Sequence, residues 1–127
     1  MTENEIGTLI VKTAIQVHRG LGPGLLESVY EVVLTAELNK CGLSAQRQVA
    51  VPISYNGHHF VEGFRADIIV NNKVIIELKS VTEISPAHKK QIQTYLRLSD
   101  MKLGFLLNYG SALMKDGIVR AVNNLDE

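Results

Sequence analysis

Residues 65–80 read RADIIVNNKVIIELKS, and this stretch decides the fold that we expect for the chain. Two short apolar runs, both rich in β-branched side chains, flank the polar residues at 71–73. That pattern predicts a β-hairpin. Three charged side chains lie in or beside the runs, namely Asp67, Glu77 and Lys79. Because burial of an unpaired carboxylate is costly, these residues need a partner or a ligand.

The length of the hairpin loop decides whether the two carboxylates meet. Residues two apart on a strand share a face, so Glu77 and Lys79 project to the same side. A three-residue loop at 71–73 places Asp67 directly opposite Glu77. A two-residue loop would instead place Asp67 opposite Ile76 and send the carboxylates to opposite faces. Three-residue loops with a left-handed residue are common, and asparagine tolerates that conformation, so the sequence permits the longer loop that the site requires.

A carboxylate pair of this kind favours a bound cation, because adjacent carboxylates repel each other. Oxygen ligands suit Mg²⁺ or Mn²⁺, whereas zinc prefers cysteine and histidine. The backbone carbonyl of Leu78 would supply a further oxygen, and Lys79 would orient a metal-bound water or stabilise charge on a phosphate. An ordinary salt bridge on an exposed hairpin face fits the same spacing, so the residues alone leave both interpretations open.

Composition is that of a globular protein. With 127 residues, of which 46% are hydrophobic and 20% charged, the chain is expected to form a single domain, residues 1–127. Thirteen basic and thirteen acidic residues balance, which argues against a protein that coats DNA tightly. The single cysteine, Cys41, can form no internal disulfide and suits a reducing cytoplasm. No apolar run reaches membrane-spanning length and no signal peptide opens the chain, so no membrane association is expected.

Periodicity and capping signals predict the other elements. A capping box of Thr2 and Glu5 begins a first helix, which ends at about Arg19 before a glycine-rich turn. A second helix begins near Leu25 and ends at Cys41. Its predicted apolar stripe comprises Leu26, Val29, Tyr30, Val33 and Leu38. Strands are predicted over 48–55, 58–70, 74–80, 103–109 and 117–122, with a helix from Pro86 to about Leu98.

The element order is therefore α-α-β-β-β-α-β-β. The third strand, the helix after it and the fourth strand form a β-α-β unit, whose strands are expected to be parallel. We predict an α/β fold with a mixed β-sheet flanked by helices, in which an antiparallel meander joins a parallel pair.

These motifs, in this order, resemble those of the PD-(D/E)xK nuclease superfamily. Asp67 followed by Glu77-Leu78-Lys79 is similar to its signature, although Ala66 replaces the proline of the name. Gln91-Ile-Gln-Thr-Tyr95 resembles the element of its RecB-like branch, and Gly24-Leu-Leu-Glu27-Ser-Val-Tyr30 resembles the motif that names the GxxExxY proteins, a family within it. The resemblance covers residues from about 6 to 122 and implies a restriction-endonuclease-like core.

The resemblance also implies a function, the metal-dependent hydrolysis of phosphodiester bonds in DNA or RNA. Asp67 and Glu77 would bind Mg²⁺ (or Mn²⁺), with the Leu78 carbonyl beside them. Lys79 would position or activate the attacking water. Glu27 corresponds to an acidic helix residue that lies near the metal through water.

Four further residues are candidates for the substrate cleft. Gln91 and Tyr95 would touch the nucleic-acid backbone or hold the site in shape, and Tyr30 of the GxxExxY-like motif is placed with them. His18 would either reach the cleft as a phosphate contact or proton-transfer group, or simply cap the end of the first helix.

Two other functions stay open. A non-catalytic module that binds nucleic acid or a partner would keep the fold without turnover, and a metal-dependent phosphoesterase could act on a small molecule. A homodimer would give so small a domain a longer binding surface, and it is an expected assembly that nothing in the sequence demonstrates.

Overall fold

The structure is a computed structural model that describes residues 1–126, so Glu127, the last residue of the predicted domain, lies outside the described residues. The order of helices and strands confirms the predicted one, with a short 3₁₀ helix added before the last strand. The elements are α1 Glu3–Leu21, α2 Glu27–Lys40, β1 Ala45–Tyr55, β2 His58–Val70, β3 Val74–Lys79, α3 Pro86–Ser99, β4 Leu103–Asn108, the 3₁₀ helix Met114–Asp116, and β5 Ile118–Val122.

The five strands form one mixed sheet in the order β1-β2-β3-β4-β5. The β3–β4 pair is parallel, and the other neighbouring pairs are antiparallel. Parallel strands need a crossover, and α3 supplies it between β3 and β4. The predicted join of an antiparallel meander with a parallel pair is confirmed.

The predicted hairpin is confirmed, and its loop between β2 and β3 is the longer one that the carboxylate site requires. Val70 pairs with Val74, and Ile68 pairs with Ile76, so the loop contains the three residues 71–73. Asn71 and Asn72 both adopt positive φ angles, of 53° and 54°. Asparagine reaches this left-handed region at a lower cost than most residues, which is why the longer loop closes here.

Helices cover both faces of the sheet. On one face α1 and α2 pack on side chains such as Ile76, Leu78 and Leu107. On the other face α3 packs on a second cluster that includes Ile75 and Leu106. Because side chains alternate along a strand, each central strand contributes to both clusters. No helix in the described part of the chain is long and apolar enough to cross a membrane.

The predicted starts of α1 and α3 are confirmed. Thr2 and Glu5 form a reciprocal capping box at α1, and Ser85 accepts a hydrogen bond from the His88 N–H at α3, whose first residue is Pro86.

The apolar stripe predicted for α2 is partly wrong. Leu26 is 75% exposed and lies at the N-cap, and Val29 is also exposed. The helix buries Glu31 instead, because the Glu31 carboxylate accepts hydrogen bonds from the Arg47 and Gln48 side chains of β1. Pairing with Arg47, whose side chain is 41% exposed, compensates the burial of the Glu31 carboxylate on the helix face that packs against the core.

Candidate active site

The two predicted carboxylates lie where the ladder between β2 and β3 ends. Its last backbone pair is Ile68 with Ile76, so Asp67 and Glu77 occupy the next position along the hairpin. There each side chain binds the backbone of the opposite strand. The Leu78 N–H donates to Asp67 Oδ2 at 2.8 Å, and the Asp67 N–H donates to Glu77 Oε2 at 3.3 Å. The carboxylates thus replace ladder hydrogen bonds and are held between the two strands.

Burial of Glu77 sets the electrostatics of this pair. The residue is 5% exposed. The pKa of Glu77 is raised to about 9, mainly by burial and also by hydrogen bonding to the Asp67 carboxylate and by the negative charge of that carboxylate. The Asp67 N–H and the Lys79 ammonium act in the opposite direction and lower it. At neutral pH, without a cation, Glu77 therefore keeps its proton.

Strand geometry directs the Leu78 carbonyl toward the pair. The N–H and C=O groups of one strand residue point to the same side, and the Leu78 N–H points to Asp67. The Lys79 carbonyl points the other way, because it accepts from the Tyr109 N–H at 2.8 Å. The Leu78 side chain is buried in the cluster under α1 and α2. Only its backbone faces the carboxylates.

Lys79 follows Glu77 by two positions on β3, so the two side chains share the face that α3 covers. Lys79 is half-buried, and its positive charge is near enough to lower the pKa of Glu77. Lys79 therefore lies near Glu77 on the same face of the sheet, as predicted from the spacing.

Glu27 is held at the end of β3. As the first residue of α2, it accepts a hydrogen bond at Oε1 from the Ser80 N–H at 3.2 Å. The Ser80 hydroxyl donates to the Leu25 carbonyl at 3.0 Å, so two hydrogen bonds join the start of α2 to this strand end. Among residues 1–126, no three His, Cys, Asp or Glu side chains form a group that could hold a metal ion. Glu27 is thus hydrogen-bonded to Ser80, the residue that follows Lys79, but it is not part of the carboxylate pair.

Tyr30 supports this arrangement from the core. Its hydroxyl donates to the Gly22 carbonyl at 2.6 Å and accepts from the Leu25 N–H at 3.0 Å. Its ring is fully buried and stacks on Tyr109, with centroids 4.2 Å apart. The structure does not bring Tyr30 into a solvent-facing cleft. It fixes the turn that leads into Glu27.

His18 also lies on the side of the sheet away from the carboxylates. Its residue is buried, and Nε2 is 2.8 Å from the Ser111 carbonyl. The imidazole centroid is 5.7 Å from that of Tyr109. His18 therefore ties α1 to the loop after β4, and the structure does not bring it together with Asp67 and Glu77.

Tyr95 is the candidate cleft residue that the structure brings to the pair. Its ring stacks flat on Phe64, with centroids 3.9 Å apart and planes 6° apart. Burial raises the pKa of the Tyr95 phenol, and the charges of Glu77 and Asp67 raise it further, which requires the ring to be near them. Gln91 lies one turn earlier on α3 and is exposed on the same flank of the helix.

Two supporting residues escaped sequence reasoning. Phe64 forms the wall on which Tyr95 packs, and Asn108 is a buried amide at the end of β4. The Asn108 side chain accepts from the Val81 and Gly110 N–H groups at 3.0 Å and donates to the Val81 carbonyl at 2.9 Å. An amide that ends a continuous apolar run was the available signal, since a buried polar group needs partners.

The sequence and the structure were then compared with known proteins. Residues 4–121 match the sequence model of the PD-(D/E)XK nuclease superfamily. Among solved structures, the crystal structure of SSO0001 is 27% identical, with a TM-score of 0.51 over 79% of this chain and 52% of that chain. This chain therefore spans about half the length of that protein. No curated protein matches it.

Proposed function

Since this chain belongs to the PD-(D/E)XK nuclease superfamily, we propose that it hydrolyses phosphodiester bonds of DNA or RNA with Mg²⁺ or Mn²⁺ as cofactor. The observation that carries the proposal is the carboxylate pair of Asp67 and Glu77, held between two strands by reciprocal hydrogen bonds. Glu77 is buried, its pKa is strongly raised and a lysine lies beside it, and this combination is typical of a functional site.

The donor set fits a hard divalent cation. The carboxylates of Asp67 and Glu77 and the carbonyl of Leu78 are oxygen donors, which Mg²⁺ and Mn²⁺ prefer, and a cation would relieve the repulsion within the pair. A cation bound there supplies an acidified water and stabilises negative charge on the phosphate.

The side chains around the pair have separate tasks in this proposal. Lys79 orients the attacking water or neutralises charge on the phosphate from the same strand face. Glu27 acts through a water molecule at the end of β3, where it already accepts the Ser80 N–H. Gln91 and Tyr95 border the cleft from α3 and contact the nucleic-acid backbone or hold the site in shape.

A second candidate function is a non-catalytic module that binds nucleic acid or a partner. One observation favours it, since among residues 1–126 no group of three His, Cys, Asp or Glu side chains could hold a metal ion. Metal distinguishes the two candidates. A pure binding module binds equally well with a chelator present and leaves its ligand uncut.

The test is a cleavage assay on single-stranded, duplex and branched DNA and on RNA, with Mg²⁺, Mn²⁺ or EDTA. We expect metal-dependent cleavage by the wild-type protein and none by Asp67→Ala or Glu77→Ala. Asp116→Ala is the matched control. It removes an exposed carboxylate that is not part of the proposed site, so it should leave cleavage unchanged. Full activity in the two site variants, each shown to be folded by circular dichroism, would overturn the proposal.

Three further expectations accompany the proposal. Membership of the GxxExxY family rests on the motif at 24–30, a cytoplasmic location rests on the single cysteine, and a homodimer rests on the small size of the domain. Sedimentation equilibrium tests the homodimer directly.

A further inference from the structure

The β1–β2 hairpin extends well beyond the rest of the sheet. β1 has 11 residues and β2 has 13, whereas β3 and β4 have six each. The pairing of β2 with β3 involves only residues 68–70. We call residues 53–62 the hairpin arm. It ends in the turn at Asn56 and Gly57, both of which have positive φ angles.

The two strands of the arm are paired with each other and joined by a side-chain hydrogen bond. The Ser54 hydroxyl and His59 Nδ1 lie 2.8 Å apart across the strands. The register shifts between Val51 and Ile53, so the arm bends where it leaves the sheet. Gly63 is required at this bend, because a Cβ atom there would lie 2.4 Å from Ile53 Cγ1.

The arm nevertheless exposes large apolar side chains. Tyr55 is 70% exposed, Phe60 is 52% exposed and Val61 is 88% exposed. Aromatic rings displayed together on a projecting ribbon are unusual for a surface without a partner.

Alternation places the two rings on the catalytic face. Val51 and Ile53 belong to the cluster under α3, and Tyr55 continues this alternation along β1. Phe60 pairs with Ile53 and so shares its face. The rings therefore lie on the same side of the sheet as Phe64 and Tyr95, and the Phe64–Tyr95 stack continues this aromatic face to the carboxylates.

Strand geometry gives the spacing. Arg47 pairs with Ile68 and Val49 with Ala66, so Gln48 lies level with Asp67. At roughly 3.3 Å per residue, Phe60 stands about 17 Å from that level and Tyr55 about 23 Å. A nucleic-acid strand with stacked bases rises roughly 3.4 Å per nucleotide, so a stacked strand spans these distances with about five to seven nucleotides.

We propose that the hairpin arm binds unpaired nucleotides of the substrate by base stacking on Tyr55 and Phe60. The inference rests on the proposed nuclease function and names its substrate class, a single strand or an unpaired end about seven nucleotides long. Stacking suits a partner with exposed base faces. The arm has little charge with which to grip a duplex backbone, because its one full charge, Glu62, is paired with Arg65 at 2.8 Å and the whole chain has no net charge.

The test measures binding in EDTA, so that it needs neither metal nor cleavage. The probes are a fluorescent 12-nucleotide DNA strand, a four-nucleotide strand and the 12-nucleotide sequence as a blunt duplex. We expect the wild-type protein to prefer the longer single strand, and a double Tyr55→Ala, Phe60→Ala variant to bind it at least about tenfold more weakly. Tyr55→Phe keeps the ring and should bind like the wild-type protein.

Val61→Ala is the matched control, because Val61 is exposed on the arm but follows Phe60 and so faces the other side. Equal affinity of the double variant, an equal loss in Val61→Ala, or a wild-type protein that prefers the duplex or binds no probe would overturn the inference. The inference would also be overturned if the arm formed a homodimer and the double variant lost binding because that dimer dissociated. Ring-dependent binding without metal-dependent cleavage would support the arm and overturn only the nuclease proposal.

Discussion

The substitution Glu77→Gln should stabilise the protein in the absence of metal. A glutamine amide is neutral, as Glu77 is at neutral pH. Its oxygen can accept the Asp67 N–H that Glu77 Oε2 accepts now, and its NH₂ group can donate to the Asp67 carboxylate. The variant therefore keeps the hydrogen bonds of the protonated acid while it removes a group that must lose its proton when the chain unfolds above pH 5.

The magnitude follows from the raised pKa. The ordinary value for glutamate is 4.5, and the folded protein raises the pKa of Glu77 to about 9. Between these values the folded state binds more protons than the unfolded state, so the free energy of unfolding falls as the pH rises. Each pH unit of this window removes about 1.4 kcal/mol, which gives a ceiling of about 5 kcal/mol at pH 8 and less than about 1 kcal/mol at pH 5. We expect Glu77→Gln to exceed the wild-type stability by about 2–5 kcal/mol at pH 8.

The assay is urea unfolding in EDTA at pH 5 and pH 8, followed by circular dichroism. Asp116→Asn is the control, since it neutralises an exposed carboxylate and should follow the wild-type protein at both pH values. A second series adds Mg²⁺. At about ten times its Kd, the ion should stabilise the wild-type protein by about 1.4 kcal/mol and should have a smaller effect on the glutamine variant, which lacks one carboxylate ligand.

Two outcomes would refute this reasoning. A Glu77→Gln variant that is no more stable than the wild-type protein at pH 8 would show that Glu77 is not held protonated by burial. A stability difference that stays constant from pH 8 to pH 5 would show that its cause is packing and not proton linkage.

Two further predictions concern Lys79 and Asn108. Lys79→Met should abolish cleavage but keep the rise in melting temperature with Mg²⁺, because Lys79 contributes no oxygen ligand. Lys89→Met, on the exposed surface of α3, is its control. Full cleavage by Lys79→Met would contradict the proposed role of Lys79 in cleavage. Asn108→Ala should lower the free energy of unfolding by about 2–3 kcal/mol in urea titrations, because the buried Asn108 amide makes three hydrogen bonds to Val81 and Gly110 that alanine cannot make. A loss below about 0.5 kcal/mol would mean that the loop finds other hydrogen bonds.

The hairpin shows how far sequence reasoning reaches. Alternation of apolar residues, with asparagines between the runs, predicted the hairpin and permitted the three-residue loop that places Asp67 opposite Glu77, and the structure has this loop. These are local properties, because strand alternation and left-handed propensity act over a few residues. The capping box of α1 was predicted for the same reason.

Predictions that depended on the direction of a helix face succeeded less well. The second helix turned Leu26 and Val29 toward solvent and buried Glu31, since Arg47 and Gln48 bind its carboxylate. Those partners lie about 16 residues away on another element, so periodicity within the helix cannot reveal them.

The order of the elements and the residue types of the donor set follow from the sequence alone, because they depend on neighbouring residues. The register of the hairpin, the burial of its carboxylates and the side chains that converge on them became known only from the folded structure. The packing of α3 on the sheet brought Tyr95 to the carboxylates and buried Glu77, while Tyr30 and His18 went to the core on the other side. Burial and electrostatic environment arise from contacts between distant parts of the chain, and here they raise the pKa of Glu77 beside Asp67.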